Sequence, residues 1–128
     1  MDDKLTPRQK AQLEVLETLP HKFEQIHRLV EEVAGLRADE SVIRRLCRIL
    51  DEGKAAANSV NLTALSETMG IMGMLARRGG GVQMKIRALR EGLASLKINY
   101  EGALRSANTP EPGRAGGIEG PGNSPIVS

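Results

Sequence analysis

The residues able to carry catalytic or metal chemistry are few in this chain, and their spacing does not assemble them. His21 and His27 are six residues apart, which on an α-helix separates them by about 120°. That is not the i, i+4 pair of a helical zinc site, and both are expected at the surface or its boundary. Cys47 is the single cysteine. One thiol excludes a disulfide framework and a cysteine-based zinc site. Its flanking residues offer arginine rather than a histidine base, so it is expected to pack as a small apolar residue, although cationic neighbours lower a thiol pKa. Acidic residues stand as the adjacent pairs Glu31-Glu32, Asp39-Glu40 and Asp51-Glu52. Neighbouring positions on a helix diverge, so these are expected to be solvated rather than acid/base dyads. No serine sits in a nucleophile elbow, and no carboxylate cluster has metal-ligand spacing. The expectation is a non-catalytic chain without a cofactor or a metal site.

One segment invites a phosphate. Arg77-Arg78-Gly79-Gly80-Gly81 sets two guanidiniums beside the start of a following helix, where free N–H groups meet anions. The P-loop pattern requires Lys-Ser/Thr after its glycine, and Val82-Gln83 stands there instead. A flexible connection between two helices is the better reading. The wider basic set is Arg77, Arg78, Lys85, Arg87 and Arg90, with no acid from Arg77 to Arg90. It suits nucleic-acid phosphates, but no aromatic side chain lies among these residues to stack on bases. An acidic protein surface is the preferred partner, and nucleic acid is the alternative. Asn61-Leu62-Thr63 matches a glycosylation sequon but reads better as a helix cap, and the Thr-Pro and Ser-Pro dipeptides carry little weight.

The composition restricts what could position these residues. The chain has the size of one domain. Phe23 and Tyr100 are its only aromatics, against 15 leucines. An aliphatic core disfavours small β-sandwiches and barrels, which lean on aromatic and β-branched residues, and suits packed helices. The net charge of +2 is too small to imply nucleic acid by itself. Its distribution is uneven: residues 1–67 carry 10 basic and 12 acidic side chains, and residues 68–105 carry 7 basic and 2 acidic. That asymmetry again asks for an acidic partner. The N-terminus has neither the basic-then-apolar pattern of a secretory signal nor the acid-poor character of a transit peptide. The least charged stretch, Ala55 to Ala76, holds Glu67 and six Asn, Ser or Thr residues, too polar for a membrane span. An intracellular location, cytoplasmic or nuclear, is expected.

Residues 1–107 read as one helical domain and 108–128 as a disordered tail with five Gly and four Pro, too poor in apolar surface to offset its ordering entropy. Thr6-Pro7-Arg8-Gln9 is a capping box with proline at the first helical position. An apolar stripe of heptad spacing follows: Leu16, Leu19, Phe23, Ile26, Val30, Val33. Pro20 either kinks this helix or starts a second one, with Thr18 as its cap candidate; Gly35 is the C-cap candidate. A second helix is expected from Asp39, with Val42, Ile43, Leu46, Ile49 and Leu50 as its apolar face. Gly53 ends or weakens it unless Ala55–Ala57 carry it on. A third, capped by Asn61 or Thr63, has Leu62, Leu65, Met69, Met72 and Leu75 on one face and Ile71 and Met74 at its periphery. Gly70 and Gly73 point to a close helix approach or a locally irregular helix, and Met69 and Met72 to ordinary core filling or an adaptable partner groove. Gly79–Gly81 break the chain.

The last helix has the clearest pattern. Val82, Ile86, Leu89, Leu93, Leu96, Tyr100 and Ala103 step by four and three without a gap. With Ile86, Leu93 and Tyr100 at a positions, Lys85 falls at g and Arg90 and Lys97 at e. Like charges would then face each other in a parallel homodimer, so the seam suits an acidic helix of this chain or of another. The fold expected is all-α: an antiparallel bundle of four to five helices, coiled-coil-like at both ends. The function expected is a helical adaptor or complex subunit that binds a protein partner through Ile86, Leu89, Leu93, Leu96 and Tyr100, aided by Met69 and Met72, with the basic set supplying charge complementarity. The alternatives are a nucleic-acid-associated protein using residues 77–90 and a chaperone-like binder of a protein partner.

Overall fold

The computed structural model describes residues 5–35 and 40–110. They form four helices, α1 (Pro7–Ala34), α2 (Glu40–Ser59), α3 (Thr63–Arg77) and α4 (Val82–Ala107), and no strand. The Asp39 cap and the tail from residue 111 lie outside the described residues.

The capping box forms as expected. Thr6 Oγ1 accepts from the Gln9 N–H at 3.0 Å and the Thr6 N–H donates to Gln9 Oε1 at 2.9 Å. Gln9 does more than cap, because its Nε2 donates to the carbonyls of Ser106 and Thr109 at 3.2 and 2.7 Å. The buried amide thus ties the start of α1 to the end of α4. Pro20 lies inside a single α1, so the five-helix alternative does not arise and Thr18 is no cap. Pro20 is exposed; it deprives the Leu16 carbonyl of a donor and its ring crowds that carbonyl. Leu16, Leu19, Phe23, Ile26, Val30 and Val33 are all buried on both sides of it, and their packing holds the two halves in one helix.

Asn61 ends α2 instead of starting α3. It has φ +62°, the Leu62 N–H donates to the Ala57 carbonyl, and the Asn61 N–H to that of Asn58. This is a Schellman motif with asparagine in the left-handed position. Leu62 and Ala57 are both buried, the apolar contact that accompanies the motif. Leu62 is the N-cap of α3 without a side-chain bond, and Thr63 is the first helical residue. α2 runs through Gly53 to Ser59. Between α3 and α4 the chain turns through Gly80, at φ +113°.

Each helix packs on two others in the cyclic order α1, α2, α3, α4. Contacts join the start of α1 to the ends of α2 and α4, and its end to their first halves. Gln12 bonds the Val60 carbonyl while Glu32 meets Arg45, and Gln9 reaches Ser106 while Glu31 meets Arg90. The core is aliphatic apart from Phe23, whose ring meets Tyr100 edge-on at 5.7 Å and 84°.

The glycines most tightly faced by a neighbouring side chain are Gly53 and Gly92 rather than Gly70 and Gly73. A methyl on Gly53 would stand 2.5 Å from Met69 Sδ, and one on Gly92 2.6 Å from Met72 Cγ. The two buried methionines of α3 therefore sit in notches of α2 and α4. At Gly53 the obstacle is the end of a flexible side chain; at Gly92 it is the stem. Gly102 has nothing within 4 Å. Gly102→Ala is expected to raise stability by about 0.5–1 kcal/mol through helix propensity. Gly92→Ala is expected to lower it, since overpacking costs about 1–3 kcal/mol. Thermal melts of the two variants should therefore move in opposite directions. Gln9→Ala should lower stability by about 0.5–1.5 kcal/mol through loss of its hydrogen bonds to the backbone of Thr6, Ser106 and Thr109.

Candidate functional site

The chemistry-bearing residues do not converge. His21 and His27 are exposed, and the described residues contain no group of three or more His, Cys, Asp or Glu able to hold a metal. Cys47 is buried, and desolvation pushes its thiol above the ordinary range despite the nearby cations Arg77 and Lys85. Glu31-Glu32 and Asp51-Glu52 diverge to partners on other helices instead of water alone, while Glu40 pairs with Arg44 of its own helix and Asp39 lies outside the described residues. Glu31 reaches Arg90 of α4 and Glu32 reaches Arg45 of α2. Asp51 reaches Arg77 of α3 and Glu52 reaches Lys22 of α1.

These pairs divide the basic set. Arg77 is held by Asp51 at 2.7 Å. Arg90 grips Glu31 with two hydrogen bonds of 3.0 and 2.8 Å, which answers the e-position charge from within the chain. That grip lowers the Glu31 carboxyl below its ordinary pKa and raises Arg90. Arg78, Lys85 and Arg87 have no ion pair among the described residues.

The stripe expected to meet a partner lies inside the fold. Ile86, Leu89, Leu93 and Leu96 are buried against the other helices, as are Met69 and Met72, and Tyr100 is half-buried against Phe23. A different apolar surface remains in solvent. The five large exposed hydrophobic residues among those described are Ile71 (58%), Met74 (64%), Val82 (41%), Met84 (78%) and Ile98 (69%). All lie on α3 and α4, and none on α1 or α2. Ile71 and Met74 are the residues whose spacing places them at the periphery of α3. Met84 and Ile98 belong to a second α4 stripe, with Ala88, Glu91, Ser95 and Gly102, stepping by four and three on the side opposite the buried one.

Two depressions mark the ends of the seam between α3 and α4. One, of about 280 Å³, is lined by Leu75, Arg78, Met84, Lys85 and Ala88. The other, of about 360 Å³, is lined by Ala64, Ile98, Asn99 and Gly102, with Gln12 of α1 at its edge. Between them Thr68 Oγ1 and Asn99 Oδ1 are joined at 2.8 Å. Of the depressions elsewhere, the one beside α1 and α4 is lined by Pro20, Phe23, Glu24, His27, Arg28 and Lys97, and the one between α1 and α2 by charged residues, among them Arg28, Glu32, Arg45 and Arg48.

No family model, curated protein or solved structure matches the chain. No helix is long and apolar enough to cross a membrane among the described residues.

The Glu31 contribution to stability has a defined sign. Its folded pKa is depressed, so the contribution is complete above the ordinary carboxylate range and is lost as pH falls through the lowered value. Carboxyl-carbon NMR should show Glu31 titrating below the ordinary carboxylate range, and Arg90→Gln should move it back toward that range. Cys47 should react with a disulfide reagent far more slowly in the folded chain than in urea.

Proposed function

We propose that the chain is a self-contained antiparallel helical bundle, coiled-coil-like in α1 and α4, that works as a non-catalytic protein-interaction module. Its partner-binding surface is the outer face of α3 and α4. The observation that carries this reading is α3 itself. In fifteen residues it has two charged side chains, Glu67 and Arg77, and its apolar residues continue beyond the stripe that faces the core. Here Ile71 and Met74 stand in solvent. Scattered exposed apolar residues need no explanation, but four on the outward sides of one pair of helices, Ile71, Met74, Met84 and Ile98, favour an interaction face there.

The burial of Ile86, Leu89, Leu93, Leu96, Met69 and Met72 supports giving the heptad stripe to the core and the partner to the opposite side. It also weakens the chaperone-like reading through Met69 and Met72. The ion pairs of Arg77 and Arg90 leave the nucleic-acid reading with three cations and no aromatic.

The test is purification of the tagged full chain from extracts of its source. A protein recovered in stoichiometric amount should be lost with Ile71→Asp and with Met84→Asp. Both positions are exposed, so circular dichroism and melting should change little. A chain recovered alone, or a partner retained by both variants, would overturn the proposal.

A further inference from the structure

We infer that the occupant of the α3–α4 seam is an amphipathic helix of another protein, with its acidic residues over the α3–α4 connector. This rests on the reading that the seam is an interaction face. The shape favours a helix. Met84 and Ile98 are 14 residues apart on α4, which is about 21 Å or four turns. Ile71 stands between them on α3, and Ala88, Ser95 and Gly102 leave room along the α4 side. A helix of similar length, with apolar residues spaced by three and four, lays one face along such a groove. An extended peptide gains its affinity from a sheet edge, and the described residues contain no strand. Its backbone groups would find no partners here, whereas a helix satisfies its own.

The charges set the direction. At the connector end Arg78, Lys85 and Arg87 are free of ion pairs, and further along Glu67 and Glu91 are exposed and likewise unpaired among the described residues. A complementary helix carries acids in its turns over the connector and a base where it passes Glu67 and Glu91. The same two glutamates disfavour an anionic lipid surface, which would press on the whole face at once.

The test is a display selection of 18-residue random peptides on the immobilised full chain, counter-selected on Met84→Asp. Enriched peptides should show apolar residues at helical spacing and acids gathered toward one end. Lys85→Glu should weaken their binding about tenfold, a change of about 1.4 kcal/mol. Enrichment of basic or proline-rich peptides, or of binders indifferent to Lys85→Glu, would overturn the inference. So would a chain that light scattering finds dimeric in the wild type and monomeric as Met84→Asp, which assigns the seam to a second copy. Met84-dependent sedimentation with phosphatidylserine vesicles would overturn it in favour of lipid. The co-purification experiment stands apart: a natural partner lost with Met84→Asp, together with basic or extended selected peptides, would remove the acidic helix and leave the interaction face in place.

Discussion

An apolar helix of four turns must be covered by its neighbours, and the packing of this protein follows from how α3 is covered. Its inner side carries Met69 and Met72, long side chains that need depth. Gly53 of α2 and Gly92 of α4 supply that depth, because a side chain at either would collide with the methionine opposite. Methionine suits such sites because its unbranched thioether adapts to irregular space. The two notches draw α2 and α4 in around α3. α1 then closes the far side with its own stripe of Leu, Ile and Val and the Phe23 edge against Tyr100. The outer side of α3 receives none of this cover.

Charge acts on this arrangement as a guide to register more than as a source of stability. The interhelix pairs Lys22–Glu52, Arg45–Glu32, Arg77–Asp51 and Arg90–Glu31 are all partly exposed, and solvent-screened pairs of that kind contribute little to stability. They do link every packed pair of helices that involves α1, and α2 with α3. They also consume part of the basic excess of residues 68–105. What remains at the connector, Arg78, Lys85 and Arg87, adjoins the exposed Met84, so unpaired charge and uncovered apolar surface occur together.

Local features were the most legible in the sequence. The Thr6–Gln9 box, the break at Gly79–Gly81 and the stop at Asn108 each depend on a few adjacent residues and stand where the sequence puts them. Asn61 was ambiguous because asparagine serves either end of a helix; the buried Leu62 directly after it was the sign of a C-terminal motif. The heptad stripes revealed apolar faces, but periodicity does not say whether the opposing surface belongs to the same chain. Gly53 and Gly92 have meaning only against Met69 and Met72, which are distant in sequence. The outer face was half visible: the spacing set Ile71 and Met74 at the edge of α3, while Met84 and Ile98 stood behind the stronger stripe of their own helix.

The central claim is that α3 faces two environments, with Met69 and Met72 enclosed and Met74, like Met84 of α4, in solvent. Methyl NMR of the methionines with a soluble paramagnetic agent tests it directly. The account predicts strong broadening of Met74 and Met84 and little at Met69 and Met72. Comparable broadening of all four would contradict it, because the core stripe would then be open and itself the surface awaiting a partner.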